Sequence, residues 1–502
     1  MKLALVFNPF SYKIHEENLR IVQKYFGLFP PLSLAWVASI ARNAGHDVII
    51  IDARTLRLTQ KQVLEILKQY KPDMLGFMMT TYQFPETLEW IKYLKTNLSP
   101  KPYVLIGGYN IRVYPKESLS HPEIDFGCLE HAFYTVPELL KQIGGQKRYE
   151  EVPGLVYKKN NEILITTHPQ KIDFDKFPNP ARDLLPNDLY AEFPTERKNF
   201  TVMVTSLGCP YQCGFCEAGG TPYSPRSPET IINEIGECYT KYYIREIDFF
   251  DYEFTAIKKR VLDICDKILQ KKYDITWACR SRVDTIDEEL LKKMSKAGCS
   301  RIYYGIESGV QEILDKINKG ITIEKIKETI KMTKKYNIRP LGFFLVGAPG
   351  ETRETFKKTF KFAKELDLDY VQFSKCLAKP FTPLWKEMVK ESGRDYWADW
   401  ILGKELDRPL HRAWTKLTNE EIDKLTKWAY IKYHSRLKFL IKHTLKVKSL
   451  LEFFRKFFAY LEMVFTQERK SKKDKKFSAY SERPTILLKA KSRKTSKWSL
   501  PF

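Results

Sequence analysis

The sequence predicts an α/β protein with a doubly wound parallel sheet, then a partial (β/α)6 barrel, then a helical C-terminal region. Short apolar runs alternate with helical patterns over residues 1–145 and again over residues 196–385. Continuous apolar strands separated by helices are typical of parallel sheets covered on both faces. Residues 386–465 instead show aromatic-rich helical spacing, and the total of 502 residues exceeds one ordinary domain.

The first 145 residues alternate predicted strands with predicted helices. The strands are predicted at residues 3–7, 48–52, 74–79 and 104–107, with helices at 32–44, 62–70 and 87–98. A ligand of such a sheet is expected beyond the C-terminal ends of its strands.

Residues 146–195 interrupt this alternation and predict a connection between two domains. Residues 154–167 predict a hairpin that turns at Asn160 and Asn161. The Pro-rich segment FPNPARDLLP follows as a linker.

Six β/α units in residues 196–385 predict the partial barrel, and Ser227-Pro228 predicts the start of one of its helices. Functional side chains are expected at the C-terminal ends of the barrel strands. The strands are predicted at residues 200–205, 246–250, 276–279, 301–305, 339–346 and 370–374.

The formal net charge is +23, and the excess is concentrated at the C-terminus. From Lys432 to the end, 20 Lys and Arg residues face 5 Asp and Glu residues. This imbalance predicts an anionic partner. Residues 466–502 are expected to form a disordered basic tail.

Nine cysteines, mostly isolated, do not suggest a disulfide framework, so a reducing cytoplasm is the expected location. The start MKLALVFNPF does not resemble a signal peptide, and no apolar run is long enough for a spanning helix.

The segment SLGCPYQCGFCEAGG carries the strongest chemical signal. Cys209, Cys213 and Cys216 have the spacing C-x3-C-x2-C directly after a predicted strand. Three thiolates on one loop suit three irons of a 4Fe-4S cluster, and the fourth iron is left open to a small molecule. A structural zinc site is the alternative, but zinc requires four ligands and no matching pair lies nearby in sequence.

With Phe215 before its last cysteine, this motif resembles that of the radical S-adenosylmethionine superfamily. The resemblance implies that S-adenosylmethionine chelates the open iron and is cleaved to methionine and a 5′-deoxyadenosyl radical. That radical would abstract hydrogen from an unactivated C–H bond. The resemblance does not identify further catalytic side chains.

The resemblance also implies S-adenosylmethionine contacts from residues that follow successive barrel strands. They are Phe215 beside the cluster, Asp251 and Glu253 for the methionine amino group, Arg280 for the methionine carboxylate, Glu307 and Ser308 for the ribose, and Gly347 and Gly350 for the adenine.

The N-terminal region resembles the cobalamin-binding domain of one branch of this superfamily, notably in residues 30–53 and in IGGYN. The resemblance implies cobalamin contacts from Thr80, Thr81, Gly107, Gly108 and Tyr109. The motif D-x-H-x-x-G is absent, which implies that histidine is not the lower ligand of cobalt.

One departure from the branch leaves a second interpretation open. The sequence Cys-Leu-Glu-His at residues 128–131 stands where the branch often has Gly-Glu-Gly-Glu. A domain that keeps the fold without the cofactor is therefore the alternative.

Residues 427–465 combine apolar positions at helical spacing with Lys and Arg between them. This basic amphipathic pattern is typical of membrane-surface helices, and packing against the barrel is the alternative. RNA is a less favoured anionic partner because the tail has few aromatic residues for stacking on bases.

Together these patterns predict a radical S-adenosylmethionine enzyme, most simply a cobalamin-dependent methyltransferase of an unreactive carbon. A lipid-like or membrane-associated substrate, a reductase such as flavodoxin or ferredoxin, and peripheral association with an anionic membrane are the expected partners. Without cobalamin, the expected outcome is C–C bond formation, cyclisation or rearrangement of a lipid. A non-enzymatic cluster or cobalamin sensor that binds nucleic acid through its tail would not cleave S-adenosylmethionine.

Overall fold

A computed structural model describes residues 1–9, 27–167, 172–192, 195, 197, 199–404 and 414–439. The predicted basic tail, and the predicted amphipathic segment from residue 440 onward, lie outside the described residues.

Seventeen described strands build two main parallel sheets and two small ribbons. They are β1 (Lys2–Phe7), β2 (Gly27–Leu28), β3 (Asp47–Asp52), β4 (Met74–Met78), β5 (Tyr103–Gly107), β6 (Phe126–Cys128), β7 (Leu155–Lys159), β8 (Glu162–Ile165), β9 (Ala191–Glu192), β10 (Phe200–Met203), β11 (Ser206–Cys209), β12 (Thr221–Pro225), β13 (Glu246–Phe249), β14 (Thr276–Ser281), β15 (Cys299–Glu307), β16 (Arg339–Val346) and β17 (Tyr370–Lys375).

The described helices lie mainly between these strands in the chain. They are Leu32–Asn43, Gln60–Tyr70, Phe84–Asn97, Tyr109–Val113, Pro115–Leu119, Ala132–Ile143, Pro228–Lys241, Lys258–Lys271, Glu288–Lys296, Gln311–Lys316, Ile323–Lys335, Arg353–Leu366, Pro383–Ser392, Tyr396–Ile401 and Asn419–His434.

The N-terminal sheet has the strand order β3-β1-β4-β5-β6-β7-β8, and its first five strands run parallel. The doubly wound fold is confirmed. The predicted hairpin does not stand apart as a linker, because β7 pairs antiparallel with β6 and extends this sheet. Asn160 and Asn161 both have positive φ, 52° and 65°, as a tight two-residue turn requires. The sequence analysis missed β6, whose three residues are too few for a recognisable pattern.

The second main sheet contains six parallel strands in the order β10-β13-β14-β15-β16-β17, and all six predicted barrel strands are found. Alternate side chains of these strands pack outward against the helices or point into the barrel. On β14, for example, Trp277 and Cys279 belong to the main apolar core, whereas Ala278 contributes to a separate small cluster with Tyr303 and Leu341.

The helix Asn419–His434 packs against the last barrel strand, β17. Ile422, Ala429 and Tyr433 are fully buried, and the Tyr433 hydroxyl donates to the carbonyl oxygen of Leu368 at 2.9 Å. Residues 427–434 therefore follow the packing alternative of the sequence analysis. None of the described helices combines the length and the apolar character needed to cross a bilayer.

A buried group of three charges joins the linker to the barrel. Arg182 of the linker donates to one carboxylate oxygen of Glu234 at 2.6 Å, and Arg226 pairs with the other oxygen. All three side chains are at most 2% exposed. Arg226 also lies 5.4 Å from the ring of Trp36, which belongs to the first helix of the N-terminal sheet. This group connects both halves of the protein.

We expect Glu234→Gln to destabilise the fold strongly, because it leaves two buried guanidinium groups without a countercharge. The expected loss is about 3–5 kcal/mol, measured as a lower midpoint of thermal unfolding. Asp183→Asn is the matched control, since the Arg42–Asp183 pair is exposed and is worth at most about 1 kcal/mol. Equal effects of the two substitutions would contradict this account.

Candidate functional site

The three predicted cluster cysteines lie on the hairpin formed by β11 and β12. Cys209 ends β11 and is buried, whereas Cys213 and Cys216 lie in the loop and are half-buried. The loop is closed by its own backbone, since the Cys216 N–H donates to the Cys213 carbonyl at 3.1 Å. All three thiols are free, and they stand at the C-terminal end of the first barrel strand.

Glycines allow the tight course of this hairpin. Gly208 has φ of +74°, and a side chain there would overlap the carbonyl oxygen of Pro222. A Cβ atom on Gly219 would lie 3.0 Å from the carbonyl oxygen of Cys213 and 3.1 Å from that of Cys216. The glycines of the motif therefore let the thiol-bearing backbone fold on itself.

The thiols fit a cubane cluster better than a single ion. Within the described parts of the chain, no three His, Cys, Asp or Glu side chains converge on one point where a metal ion would bind. A 4Fe-4S cluster does not need such convergence, because each thiolate binds a different iron. Burial raises the pKa of Cys209 and of Cys216, and both must lose a proton to act as ligands.

Asp251 anchors the start of the cluster hairpin. Its carboxylate accepts the Thr205 N–H at 2.6 Å and the Ser206 hydroxyl at 2.8 Å, and it also accepts the Thr205 hydroxyl. Arg260 donates to the Thr205 carbonyl at 2.6 Å from the same side. Because these bonds use both oxygens of Asp251, its predicted contact with S-adenosylmethionine stays a prediction.

Arg282 is the cation beside the cluster loop, and the sequence analysis missed it. Its Nη1 lies 3.7 Å from Cys213 Sγ, and its guanidinium stands 4.0 Å from the centre of the Tyr211 ring. Its Nη2 donates to the Lys319 carbonyl at 2.7 Å. Arg280, which the sequence analysis chose instead, makes two hydrogen bonds to Asp248, at 2.7 and 3.0 Å. Its predicted contact with the methionine carboxylate likewise stays a prediction.

Glu253 lies close to the hairpin in a buried polar cluster. Its Oε1 accepts the Thr255 hydroxyl at 2.6 Å, and it lies 3.3 Å from the Thr285 hydroxyl. Burial raises the pKa of Glu253 to about 6. Burial is the main cause of the raised pKa of Cys209, and the negative charge of Glu253 raises it further. Glu253 therefore interacts electrostatically with one of the predicted cluster ligands.

Glu307 and Lys319 form a second polar group, near Phe215 of the cluster loop. It has φ of +67°, and its Oε1 accepts from Lys319 Nζ at 2.9 Å. Lys319 Nζ also lies 5.9 Å from the ring centre of Phe215, so Lys319 links Phe215 and Glu307, whose contacts with S-adenosylmethionine stay predictions. Ser308 is buried and accepts the Val310 N–H at 3.2 Å, so its hydroxyl holds the local backbone.

Gly347 and Gly350 both need the left-handed backbone conformation, with φ of +79° and +73°. A side chain on Gly347 would lie 2.5 Å from Ile422, and one on Gly350 would lie 2.5 Å from Lys316. The Gly350 N–H donates to the Trp414 carbonyl at 2.8 Å. The turn predicted to support adenine is thus also packed by the C-terminal region.

Two neighbouring strand ends of the N-terminal sheet bring the predicted cobalamin residues together. Thr80 and Thr81 follow β4, and Gly107 and Gly108 end and follow the adjacent strand β5. Gly108 has φ of +110°, and a Cβ atom there would lie 2.5 Å from the carbonyl oxygen of Met79. The Thr81 hydroxyl is buried with no hydrogen-bond partner in the described chain. A bare backbone and an unpaired buried hydroxyl fit the edge of a large ligand.

Tyr109 connects this edge to the cluster loop. Its hydroxyl lies 3.2 Å from the carbonyl oxygen of Glu217, next to Cys216, and 3.3 Å from that of Pro380. Its ring meets Phe381 edge to face at 6.3 Å. The C-terminal end of β5 in the N-terminal sheet therefore contacts the cluster loop of the barrel.

Comparison with known families agrees with both halves of this arrangement. Residues 203–363 match the model of the radical SAM superfamily, and residues 20–140 match the model of the B12 binding domain. An uncharacterized methyltransferase of Pyrococcus horikoshii is 35% identical over 88% of this chain and 94% of its own length. The chain belongs to the radical S-adenosylmethionine superfamily, in the branch with a cobalamin-binding domain. It is an enzyme of that class.

More distant members of the superfamily show how its chemistry varies. The anaerobic magnesium-protoporphyrin IX monomethyl ester cyclase of Rubrivivax gelatinosus is 28% identical over 72% of this chain and 67% of its own. The hopanoid C-3 methylase of Methylococcus capsulatus is 25% identical over 74% of this chain and 72% of its own.

Two solved radical S-adenosylmethionine enzymes share the fold. OxsB, solved with aqua-cobalamin and S-adenosylmethionine, has a TM-score of 0.66 and 18% identity over 93% of this chain and 71% of its own. TsrM of Kitasatospora setae, solved with cobalamin and a [4Fe-4S] cluster, has a TM-score of 0.62 and 18% identity over 78% of this chain and 75% of its own. These similarities confirm the predicted two-part fold.

We expect Glu351→Gln to flatten the pH dependence of stability. Glu351 is fully buried beneath the Gly347 turn, and burial raises its pKa to about 7. Between its unfolded pKa and pH 7, the unfolded state releases a proton that the folded state keeps, so stability falls as the pH rises. The loss approaches about 3 kcal/mol above pH 7.

The measurement is thermal unfolding of both proteins at pH 5.5 and pH 8. The Gln variant should gain stability relative to the original protein as the pH rises. Parallel pH profiles for the two proteins would refute this role of Glu351.

Proposed function

We propose that this chain is a cobalamin-dependent radical S-adenosylmethionine methyltransferase that modifies an unreactive carbon of a lipid-like or membrane-associated substrate. The supporting observation is the hydrogen bond by which Tyr109, at the predicted cobalamin edge, reaches the carbonyl of Glu217 beside Cys216. A methyl donor on one side and a radical generator on the other must act on the same carbon. The juxtaposition of the two strand edges meets that requirement.

Cys209, Cys213 and Cys216 would hold the cluster, which when bound supplies the electron that cleaves S-adenosylmethionine. Arg282 would lie beside the cluster, because its guanidinium is 3.7 Å from Cys213 Sγ, and Asp284 holds that guanidinium in an ion pair at 2.8 Å. Asp251 has a structural role. It accepts hydrogen bonds from Thr205 and Ser206 and so fixes the start of the cluster hairpin.

Glu253 is our candidate for the methionine amino group, since its carboxylate is buried after the second barrel strand, where Thr255 donates to it. Phe215, Glu307 and Ser308 would line the neighbouring S-adenosylmethionine site, with Gly347 and Gly350 supporting the adenine. Arg280 stands between the rings of Phe250 and Tyr303, at 3.7 and 5.0 Å from their centres. We assign Arg280 to the barrel wall and keep its contact with the methionine carboxylate as the less favoured option.

Cobalamin would lie along Thr80, Thr81, Gly107, Gly108 and Tyr109 and would supply the methyl group. No histidine is proposed as its lower ligand, because the sequence lacks D-x-H-x-x-G. The buried, unpaired Thr81 hydroxyl is the polar group best placed to receive a hydrogen bond from the ligand or to donate one.

A lipid-like substrate is supported by the basic amphipathic sequence that continues beyond the packed helix, in residues 435–465, and by the similarity to a hopanoid methylase. We propose a cytoplasmic protein with peripheral attachment to an anionic membrane, reduced by a flavodoxin or a ferredoxin.

A cobalamin-free cyclisation or other C–C bond formation is the second candidate. The sequence Cys-Leu-Glu-His at residues 128–131 favours the absence of cobalamin, and the similarity to a cyclase favours cyclisation as the reaction. Cys128 is buried there and burial raises its pKa to about 11, so it stands as an apolar core residue. Membership of an enzyme superfamily argues against the non-enzymatic sensor.

The triple substitution of Cys209, Cys213 and Cys216 by Ala should abolish both bound iron and 5′-deoxyadenosine formation. The reason is that the cluster would lose every protein ligand. Iron content and product are measured after anaerobic reconstitution and reduction. Cys238→Ala is the control, because that buried thiol lies in the outer core and should leave iron binding intact. Unchanged iron in the triple variant would remove the cluster assignment.

The full chain should bind cobalamin without histidine ligation, and Gly108→Val should weaken binding at least tenfold. A side chain at residue 108 would strike the Met79 backbone and push the strand end into the ligand site. Binding is followed by the optical spectrum, and ligation by electron paramagnetic resonance. Gly45→Val is the control, since Gly45 also has positive φ but has open space around it. If the original protein does not bind cobalamin at micromolar concentration, the cyclisation candidate leads.

A further inference from the structure

A concave groove lies on the outer surface of the barrel, between the helices Arg353–Leu366 and Asn419–His434. Its volume is about 440 Å³. Its floor is the aromatic pair Phe360 and Trp428, whose ring centres are 4.5 Å apart. Phe360 is buried, but Trp428 leaves 43% of its surface exposed. An exposed indole at the bottom of a groove is not needed for the barrel core.

The rim of the groove is entirely cationic. The lining residues other than the two aromatics are Lys357, Lys361, Lys364, Lys432 and Arg436. Lys357, Lys361 and Lys364 follow one another at helical spacing, so they share one face of their helix. Among the residues that the structure describes, no acidic side chain lines the groove. Such a rim concentrates positive potential on a small concave surface.

Within the described ranges of the chain, the rim lysines form no close ion pair with a carboxylate. Lys361 lies 3.9 Å from Glu365, an exposed pair of little energetic value. Lys364 Nζ stands 5.3 Å from the ring centre of Phe360, and Arg436 lies over Tyr433 at 3.7 Å. The charged ends of Lys364 and Arg436 therefore lie over aromatic rings.

A second exposed apolar residue follows the groove residue Arg436 in the chain. Leu437, directly after Arg436, leaves 73% of its surface exposed. Trp and Leu beside Lys and Arg are the composition expected of a surface that enters the headgroup layer of a bilayer. A nucleic acid would use the cations and the indole, but not an exposed leucine. The following residues 440–502 are strongly basic and would be repelled by the rim.

We propose that this groove binds the phosphate headgroup of an anionic phospholipid, with Trp428 and Leu437 entering the interface. The inference rests on the membrane association proposed above and gives it a specific site within the described chain. The rim cations would contact the phosphate, and the helix pair would lie against the bilayer surface. This groove is separate from the hairpin of β11 and β12 that carries the cluster cysteines.

The test compares binding of the full-length protein to vesicles of phosphatidylcholine alone and of phosphatidylcholine mixed with phosphatidylglycerol. Lys357→Gln, Lys361→Gln and Lys364→Gln are combined in one variant. Each lysine near an anionic surface is worth about a fivefold change in affinity, so the variant should bind the mixed vesicles about a hundredfold more weakly. Trp428→Ala should also weaken binding, and this effect should persist at high salt.

The matched control removes the same charge elsewhere, with Lys259→Gln, Lys271→Gln and Lys272→Gln on the exposed surface of another barrel helix and at its end. It should bind nearly as well as the original protein. Equally weakened vesicle binding by both triple variants would overturn the proposed groove site, because binding would then follow net charge alone. Groove-dependent binding of a short single-stranded RNA, without vesicle binding, would also overturn it.

Two further measurements separate this inference from the proposed reaction. Formation of 5′-deoxyadenosine should be unchanged in the groove variants, which also verifies that they are folded. A chain ending at residue 439 should keep part of its groove-dependent vesicle binding. If truncation abolishes binding and the groove variant of the full chain binds normally, the groove is wrong and the membrane contact belongs to the C-terminal segment.

Discussion

One buried carboxylate, that of Glu234, connects the parts of the molecule that must act together. It pairs with Arg182 from the interdomain linker and with Arg226, the residue directly after the cluster hairpin. Removing three charges from water is costly, and only close geometry with additional hydrogen bonds compensates for it. Arg182 obtains these bonds from Thr201 and from the carbonyl of Val202. The same charge group therefore fixes both the linker and the base of the hairpin.

The candidate site follows from that constraint. With the linker fixed, the C-terminal edges of the two parallel sheets meet, and Tyr109 reaches the carbonyl of Glu217 beside Cys216. Sites for ligands are common at such junctions between domains and at the C-terminal ends of parallel strands. The family comparison assigns a radical S-adenosylmethionine domain to one side and a B12 binding domain to the other. Methylation at the junction of these two domains is the reaction that uses both domains.

Local patterns in the sequence were sufficient for most of the fold and for the cluster loop. The six barrel strands carry long apolar runs, and the cysteine spacing is contained within eight residues. The short strand β6 and the pairing of β7 with it depend on contacts between distant residues, so no local pattern revealed them.

The dependence on contacts between distant residues also explains why Arg282 was not predicted at the site. Arg280 and Arg282 are two residues apart, and the sequence does not reveal which one reaches the loop. The structure places Arg282 beside Cys213 because it follows the end of β14, whereas Asp248 of the neighbouring strand holds Arg280. Lys319 was missed for a similar reason, since only the fold brings it to Glu307.

The most direct measurement of the central claim is the analysis of products from S-adenosylmethionine by the reconstituted, cobalamin-loaded protein with a low-potential reductant and a membrane lipid extract. The account predicts both 5′-deoxyadenosine and S-adenosylhomocysteine, with a labelled methyl group recovered in a lipid. Formation of 5′-deoxyadenosine without S-adenosylhomocysteine or label transfer would contradict a cobalamin-dependent methyltransferase, even though the radical chemistry itself would stand.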